Sequence, residues 1–301
     1  MRELFNGLSC PVEFDVPMAS YTWYGLGGPA AVMAHPASVQ QLSALAAYCH
    51  ENAMPVYVLG SGANLLVEDD GIPGIVVQLD DPCFQDLNIA GTTVATGAGY
   101  DLMKLVLETS KAGLAGLECL AGIPATVGGA VRMNAGGAFG DIGQSVSRIQ
   151  VMDNTGHVYY RDSEDLVFGY RKTNIAARFI LSVEFELTRE DPDSLVRRVK
   201  ELFLYKKNSQ PMAAHSPGCT FKNPIDDAAR VGPRTAGQLI DDAGLKGHRI
   251  GRVQVSQQHA NFVIAEPGAS AAEVVAVLEH IESTVFARYG VRLEREIVQW
   301  P

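Results

Sequence analysis

Residues 118–137 have the most constraining sequence in this chain, ECLAGIPATVGGAVRMNAGG. After Glu118, five glycines alternate there with small residues, and only Arg132 and Asn134 are bulky and polar. Because glycine loses more conformational entropy on folding than any other residue, the backbone here is expected to approach something closely. Two interpretations are open: a buried turn with close helix–strand packing, or a loop whose amide groups line a phosphate or a planar ring.

A second glycine loop, GSGANLL at residues 60–66, follows an apolar run at residues 56–59 that is typical of a buried strand. Glycines at the C-terminal end of a strand let successive amide groups converge on phosphate oxygens. The loop lacks the Gly-Lys-Ser/Thr of a Walker motif and is not a Rossmann fingerprint. Either loop alone is a weak signal, but the two together suit one extended dinucleotide.

The composition excludes several classes of protein. With 301 residues, 47% hydrophobic and 19% charged, the chain has the composition of a soluble globular protein of two or three domains. Its net charge of −10 argues against nucleic acid or an anionic membrane as the main partner. No secretory pattern follows Met1, and glycines, Glu118 and Pro124 interrupt the most apolar stretch, so we expect neither an export signal nor a membrane span. Five scattered cysteines without CxxC spacing predict a cytoplasmic protein without a metal site.

The hydrophobic pattern predicts three regions of mixed helix and strand: a first lobe at residues 1–85, a second at 86–190 and a C-terminal domain at 191–301. Asn154-Thr155-Gly156 is typical of a hairpin turn. The predicted helices are 38–53, a segment around 102–107, 195–205, 236–243 and 270–289. The predicted strands are 56–59, 75–79, 92–96, 149–152, 157–160, 179–187, 261–265 and 291–298.

Three short segments carry residues with chemical potential. Arg171 follows two aromatic residues in FGYRKT, Cys219 follows a glycine in SPGCTFKNP, and Glu296 lies in the predicted last strand, LEREI. Taken alone, each has an ordinary interpretation: a surface ion pair, a buried inert thiol and a solvated carboxylate.

Together these segments and loops resemble a known family, because they occur in one order along the chain. The chain resembles the UDP-N-acetylenolpyruvoylglucosamine reductase (MurB) family from about Thr22 to its C-terminus. The motifs that carry the resemblance are the two glycine loops, Tyr170-Arg171, GCTFKNP at 218–224, AGQLID at 236–241, AGLKG at 243–247, HANFV at 259–263 and LEREI at 293–297.

The resemblance implies an α+β protein with a two-lobed FAD-binding fold of the vanillyl-alcohol-oxidase (PCMH) type and a C-terminal mixed α/β substrate domain. It implies reduction of UDP-N-acetylglucosamine enolpyruvate to UDP-N-acetylmuramate, with FAD as cofactor and NADPH as electron source. The FAD residues implied are Gly60, Ser61, Gly62, Ala63, Asn64, Leu65, Gly122, Ile123, Pro124, Ala125, Thr126, Gly128, Gly129, Asn134, Ala135 and Gly136.

The resemblance also assigns the catalytic and substrate-binding residues. Arg171 would hold the substrate carboxylate and stabilise the enolate that hydride transfer leaves. Glu296 would contact the same carboxylate, in its protonated form. Cys219 stands where many relatives have serine as the general acid, and two states are open for it: a neutral thiol that donates, or a thiolate favoured by a nearby cation, which cannot. The implied substrate-binding residues are Tyr170, Lys222 and Asn223.

One departure bears on the subclass. Only 47 residues (172–218) separate Arg171 from Cys219, which leaves no room for an insertion that brings a substrate-clamping tyrosine in one subclass, so the chain resembles the shorter, type II subclass. We expect a monomer or a weak oligomer. Two alternatives stay open: another flavin oxidoreductase of the same fold, and a non-catalytic flavin- or nucleotide-binding relative.

Overall fold

A computed structural model describes residues 10–301 apart from Ala213. The first nine residues of the predicted first lobe therefore lie outside the described residues. The chain forms two compact units. The first unit contains the residues up to Val16, Ala30–Ser61 and Pro73–Tyr205, and the second contains Pro17–Pro29, Gly62–Ile72 and Lys206–Pro301.

The elements of both units are numbered in chain order. The strands are β1 (Val12–Pro17), β2 (Pro29–Ala34), β3 (Val56–Leu59), β4 (Leu65–Val67), β5 (Ile72–Gln78), β6 (Leu87–Ala90), β7 (Thr93–Gly97), β8 (Leu114–Ala115), β9 (Gly136–Gly137), β10 (Gly140–Asp141), β11 (Val146–Met152), β12 (Val158–Asp162), β13 (Phe168–Gly169), β14 (Lys172–Thr173), β15 (Phe179–Glu186), β16 (Thr188–Arg189), β17 (Arg249–Ile250), β18 (Val253–Val255), β19 (Val263–Ala265) and β20 (Val298–Trp300). The α-helices are α1 (Val39–Glu51), α2 (Leu102–Lys111), α3 (Val127–Arg132), α4 (Pro192–Ser209), α5 (Ala228–Val231), α6 (Ala236–Asp242) and α7 (Ala271–Tyr289).

The first unit contains two sheets. One has the strand order β1-β2-β5-β3, in which β3 and β5 are parallel. Helix α1 begins at Ser38, whose hydroxyl accepts the N–H of Gln41, and its apolar face packs in the core of this sheet. The second sheet is antiparallel, with the order β12-β11-β15-β7-β6. The predicted hairpin around Gly156 is confirmed as β11–β12.

The second unit is built around helix α7, which packs against the antiparallel sheet β17-β18-β19. Ser270 and Glu273 form a reciprocal capping box at its start. The carboxylate of Asp69 also accepts the N–H groups of Ala271 and Ala272, at 2.9 and 3.1 Å. Since the first N–H groups of a helix have no partner within the helix, these contacts explain why α7 begins where it does.

The predicted strand at residues 291–298 is wrong. Only Val298–Trp300 form a strand there, which pairs in parallel with β4, and Arg295 makes an isolated bridge with Phe221. Burial still alternates, with Leu293 and Ile297 buried and Glu294 exposed, because an extended chain has a two-residue repeat even without a ladder. The alternating hydrophobic pattern therefore identified the buried face correctly. It could not show that the strand ladder is limited to the three residues of β4.

Candidate active site

A cleft of about 230 Å³ in the first unit is lined by parts of both predicted glycine loops. Gly60 and Ser61 follow β3, while Thr126, Gly128 and Gly129 lie at the start of α3. The other lining residues are Val58, Leu59, Gln78, Leu79, Asp80, Gln85, Ala98, Gly99, Arg132, Arg178 and Ile180. The fold thus brings together two segments that are about sixty residues apart in the sequence.

Two glycines of this lining are required by close packing. A Cβ on Gly60 would lie 2.8 Å from the Thr126 hydroxyl, and a Cβ on Gly128 would lie 2.8 Å from the Cβ of Ala98. The Thr126 hydroxyl itself accepts the N–H of Gly129 at 3.3 Å and caps α3. The close-packing interpretation of the glycine segment therefore applies at Gly128, which also lines the cleft, and ligand binding by the segment stays a prediction.

The remaining residues of the first loop lie in the second unit, since the unit boundary falls between Ser61 and Gly62. Gly62 has φ +64°, and a Cβ there would lie 1.8 Å from the Tyr21 carbonyl oxygen, so only glycine fits. Ala63 is half-buried, and the Asn64 amide donates to the Glu296 carbonyl at 3.1 Å. Leu65 is buried in β4, so its side chain belongs to the core.

Residues 122–125 precede Thr126 in the chain and contact neighbouring parts of the first unit. Gly122 has φ +76°, Ile123 packs against the core of the first unit, and the Ser61 hydroxyl donates to the Pro124 carbonyl at 3.4 Å. The Ala125 carbonyl accepts the N–H of Leu102 at 3.0 Å, at the start of α2.

Arg171 lies at the tip of the tight hairpin β13–β14 and is fixed through the segment around Asn134. Its Nη2 donates to the Gly136 carbonyl at 2.8 Å, and its guanidinium lies 5.3 Å from the centroid of the Tyr170 ring. The buried Asn134 amide donates to the Gly169 carbonyl at 2.9 Å and accepts the N–H of Gly143 at 3.0 Å. Next to it, the N–H of Ala135 donates to the Ala130 carbonyl at 2.8 Å.

Both Asn134 and Arg171 have left-handed backbones, with φ +43° and +54°. For residues other than glycine this conformation costs about 1–3 kcal/mol, and it persists only where surrounding contacts hold it. Such residues cluster at functional sites, so the backbone of Arg171 supports its selection as a candidate.

In the second unit, backbone hydrogen bonds hold the Cys219 bend beside Glu296. Gly218 has φ +92°, which forms the bend, and Cys219 is half-buried. The N–H of Glu296 donates to the Thr220 carbonyl at 2.7 Å, and the N–H of Lys222 donates to the Glu294 carbonyl at 2.8 Å. The structure therefore brings together the segments of two predicted catalytic residues, Cys219 and Glu296.

The predicted substrate residues that follow Cys219 have protein partners. Lys222 forms an ion pair with the largely exposed Glu294. The Asn223 amide oxygen accepts the N–H of Ala236 at 3.0 Å and so joins this segment to the start of α6. Any anion that uses Lys222 has to compete with Glu294 for the ammonium group.

Comparisons with known proteins decide the family. Residues 29–160 match the FAD binding domain family, and residues 210–300 match the C-terminal domain of UDP-N-acetylenolpyruvoylglucosamine reductase. The reductase of Syntrophobacter fumaroxidans is 40% identical over 294 residues, which are 95% of this chain and 83% of the relative. That of Anoxybacillus flavithermus is 36% identical over 98% of this chain and 96% of the relative. The chain belongs to the UDP-N-acetylenolpyruvoylglucosamine reductase family.

A solved structure supports the same assignment. The MurB crystal structure from Thermus caldophilus matches with a TM-score of 0.81 and 34% identity, over 97% of this chain and 99% of that one. The predicted fold class is confirmed, because an FAD binding domain is followed by the C-terminal domain of this reductase. The chain is accordingly an FAD-containing oxidoreductase of the MurB family.

The cleft fits the cofactor that this family membership implies. Its lining combines glycine backbone at Gly60, Gly128 and Gly129 with two guanidinium groups, Arg132 and Arg178. Small residues allow a dinucleotide to approach the backbone, and cations suit its diphosphate. Within the described ranges, no cluster of three or more His, Cys, Asp and Glu side chains could hold a metal ion, and no helix has the length and apolarity to cross a membrane.

Sequence reasoning missed Asn261, whose side chain holds the residues next to Cys219. Asn261 is 3% exposed, its Oδ1 accepts the N–H of Phe221 at 3.0 Å, and its Nδ2 donates to the Phe221 carbonyl at 2.8 Å. Its backbone carbonyl also accepts the N–H of Thr220 at 2.8 Å. The HANFV motif was the available signal, but a motif alone could not say which atoms Asn261 contacts.

Sequence reasoning also did not predict that Arg132 and Arg178 line the cleft. Burial, followed by the nearby Arg178 cation, lowers the pKa of Arg132. The signal for Arg132 was its position as a charged residue inside the glycine segment, whereas Arg178 lies in a region without a recognisable motif. Arg171 belongs to the first unit, and Cys219 and Glu296 belong to the second, so the meeting of these three side chains stays a prediction.

Proposed function

We propose that this chain reduces UDP-N-acetylglucosamine enolpyruvate to UDP-N-acetylmuramate, a step of peptidoglycan precursor synthesis in the cytoplasm, and that NADPH supplies the electrons. The observation that carries the proposal is the identity of 35–40% to reductases of this name along 95% or more of the chain. The predicted residues Arg171, Cys219 and Glu296 give this reaction its charge stabilisation and its proton.

The cleft residues Gly60, Ser61, Gly128 and Gly129 would hold FAD. Bound FAD supplies hydride transfer, first from NADPH and then to the terminal vinyl carbon of the enolpyruvyl group. The three-domain division at residues 85 and 190 remains part of this proposal, with the last domain binding the nucleotide substrate.

Arg171 would bind the carboxylate of the enolpyruvyl group. The Gly136 carbonyl accepts a hydrogen bond from Nη2 and so helps to fix the plane of the guanidinium, a group whose fork geometry suits a carboxylate. As negative charge develops on the carbon next to the carboxylate, a cation already in place stabilises it without reorganisation. Removing one such donor typically costs a factor of about 10²–10³ in kcat.

Cys219 would deliver the proton as a neutral thiol. A thiol is a stronger acid than a serine hydroxyl, and only its protonated form can donate. The neighbouring Glu296, itself protonated, would hydrogen-bond to the substrate carboxylate instead of repelling it. The hydrogen bond from Glu296 N–H to the Thr220 carbonyl supports this pairing, because it keeps the two segments in register.

Asn223 and Lys222 would contact the diphosphate of the nucleotide, and Tyr170 would support Arg171 through its ring. The spacer of 47 residues (172–218) places the chain in the shorter subclass, with no inserted tyrosine to clamp the substrate.

Turnover of the enolpyruvyl nucleotide tests the proposal. The purified protein should carry FAD and oxidise more than one equivalent of NADPH only when the nucleotide is present, and mass spectrometry should find a product that has gained two hydrogen atoms. Arg171→Gln should lower kcat about 100-fold or more and leave the bound flavin in place. NADPH oxidation that depends on oxygen and ignores the nucleotide would reject the proposed substrate in favour of another flavin oxidoreductase.

A further inference from the structure

Two arginines face the glycine-lined cleft of the first unit. Arg132, at the end of α3, donates to the backbone carbonyls of Ile175, Ala177 and Arg178, at 2.5, 2.7 and 3.1 Å. A guanidinium has five N–H groups, so about two of them remain after these three bonds. Arg178 is exposed and lines the same cleft.

The charge of these arginines is not balanced by the protein. Among the residues that the structure describes, no carboxylate forms an ion pair with either guanidinium. Asp80 is the carboxylate in the cleft lining, and its oxygens lie 2.9 and 3.1 Å from Nδ1 of His35. The lining therefore has one positive charge in excess, in a chain whose net charge is −10.

Two adjacent cations without a counter-ion repel each other, and desolvation adds to the cost for the half-buried Arg132. A bound anion would offset the repulsion and compensate the desolvation through charge-assisted hydrogen bonds. Apart from Arg178 and Ile180, the lining residues lie inside the match to the FAD binding domain, residues 29–160, so the anion expected here is part of the ligand of that domain.

We propose that Arg132 and Arg178 bind the diphosphate of FAD. Three backbone carbonyls hold the guanidinium of Arg132 in place, whereas the side chain of Arg178 is exposed where it lines the cleft. This inference rests on the proposed function only in naming FAD as the ligand. It goes beyond the glycine loops, because it assigns the charge recognition to two side chains and not to glycine backbone.

The test measures flavin retention in holoenzyme. Arg178→Gln should release FAD at least about 10-fold faster on dilution, followed by the fluorescence of free FAD, since charge-assisted hydrogen bonds are the strong ones. Its release should also depend less on salt concentration than that of the wild type. Arg189→Gln is the matched control, because it removes the same charge from an exposed residue of the same unit outside the cleft.

Displacement by riboflavin separates charge recognition from a general loss of structure. Riboflavin has no phosphate, so the proposal predicts equal riboflavin binding in the wild type and in Arg178→Gln. Arg132→Lys keeps the charge without the fork, so it should release FAD faster and also lower the melting temperature, because the hydrogen bonds to three backbone carbonyls are lost.

Three results would overturn the assignment. The first is that Arg178→Gln retains FAD as well as the wild type does. The second is that the substitution weakens the binding of FAD and of riboflavin equally. The third is that it changes only the KM for NADPH or for the nucleotide. The last would mean that the cleft binds a substrate phosphate. If the wild type retains FAD but does not turn over the enolpyruvyl nucleotide, the proposed function fails while the arginine assignment stands.

Discussion

Asn261 offers a prediction whose magnitude follows from the structure. Its side-chain amide satisfies both the N–H and the carbonyl of Phe221, a residue that is 1% exposed. Asn261→Ala leaves both groups buried without partners, at about 1–3 kcal/mol each, so the free energy of unfolding should fall by about 2–6 kcal/mol. Asn261→Asp should not restore the stability, because it places a carboxylate in a buried site against the Phe221 carbonyl.

Urea unfolding followed by tryptophan fluorescence measures this loss in the relevant part of the chain. Both tryptophans, Trp23 and Trp300, belong to the second unit, as does Asn261. Gln299→Ala is the matched control, because its amide also has two side-chain hydrogen bonds but is exposed. The control should stay within about 0.5 kcal/mol of the wild type, and the reasoning is refuted if Asn261→Ala does so too.

Three further predictions concern the site and its surroundings. Cys219→Ala should leave flavin reduction by NADPH intact and slow reoxidation by the enolpyruvyl nucleotide about 10²–10⁴-fold in stopped-flow experiments, and equal loss in both half-reactions would reject its role as the acid. Gly60→Ala should displace the Thr126 hydroxyl and lower both the flavin content and the melting temperature, and unchanged values of both would contradict the packing argument. Burial, followed by the nearby Lys246 cation, lowers the pKa of His259 from 6.5, so the folded state binds fewer protons than the unfolded state and stability should fall as the pH drops below about 6.5. His259→Gln should flatten this dependence in urea titrations at several pH values, whereas exposed His157→Gln should not, and an unchanged slope for His259→Gln would refute the assignment.

Helices with a clear start signal were predicted well from the sequence. Ser38 and Ser270 cap α1 and α7, and both helices lie within a residue or two of their predicted bounds. Helix α4 begins before its predicted start at residue 195, because Asp191 accepts the N–H of Ser194 and permits an extra turn. Local signals of this kind are readable because capping residues and helix are neighbours in the chain.

Long-range pairing was not readable in the same way. The parallel pairing of β3 with β5 and the single bridge between Phe221 and Arg295 depend on partners far away in the sequence. The same limit applies to the site. Motifs selected Cys219 and Glu296, but the hydrogen bond between Glu296 and Thr220, and the contacts of Asn261 with Phe221, follow from the fold.

The most direct test of the central claim is a single turnover without oxygen. Wild-type protein reduced by one equivalent of NADPH should lose the visible absorbance of its flavin, and adding the enolpyruvyl nucleotide should restore it with formation of one equivalent of the lactyl ether. If the flavin stays reduced until oxygen is admitted, the chain does not catalyse this reaction and the account is contradicted.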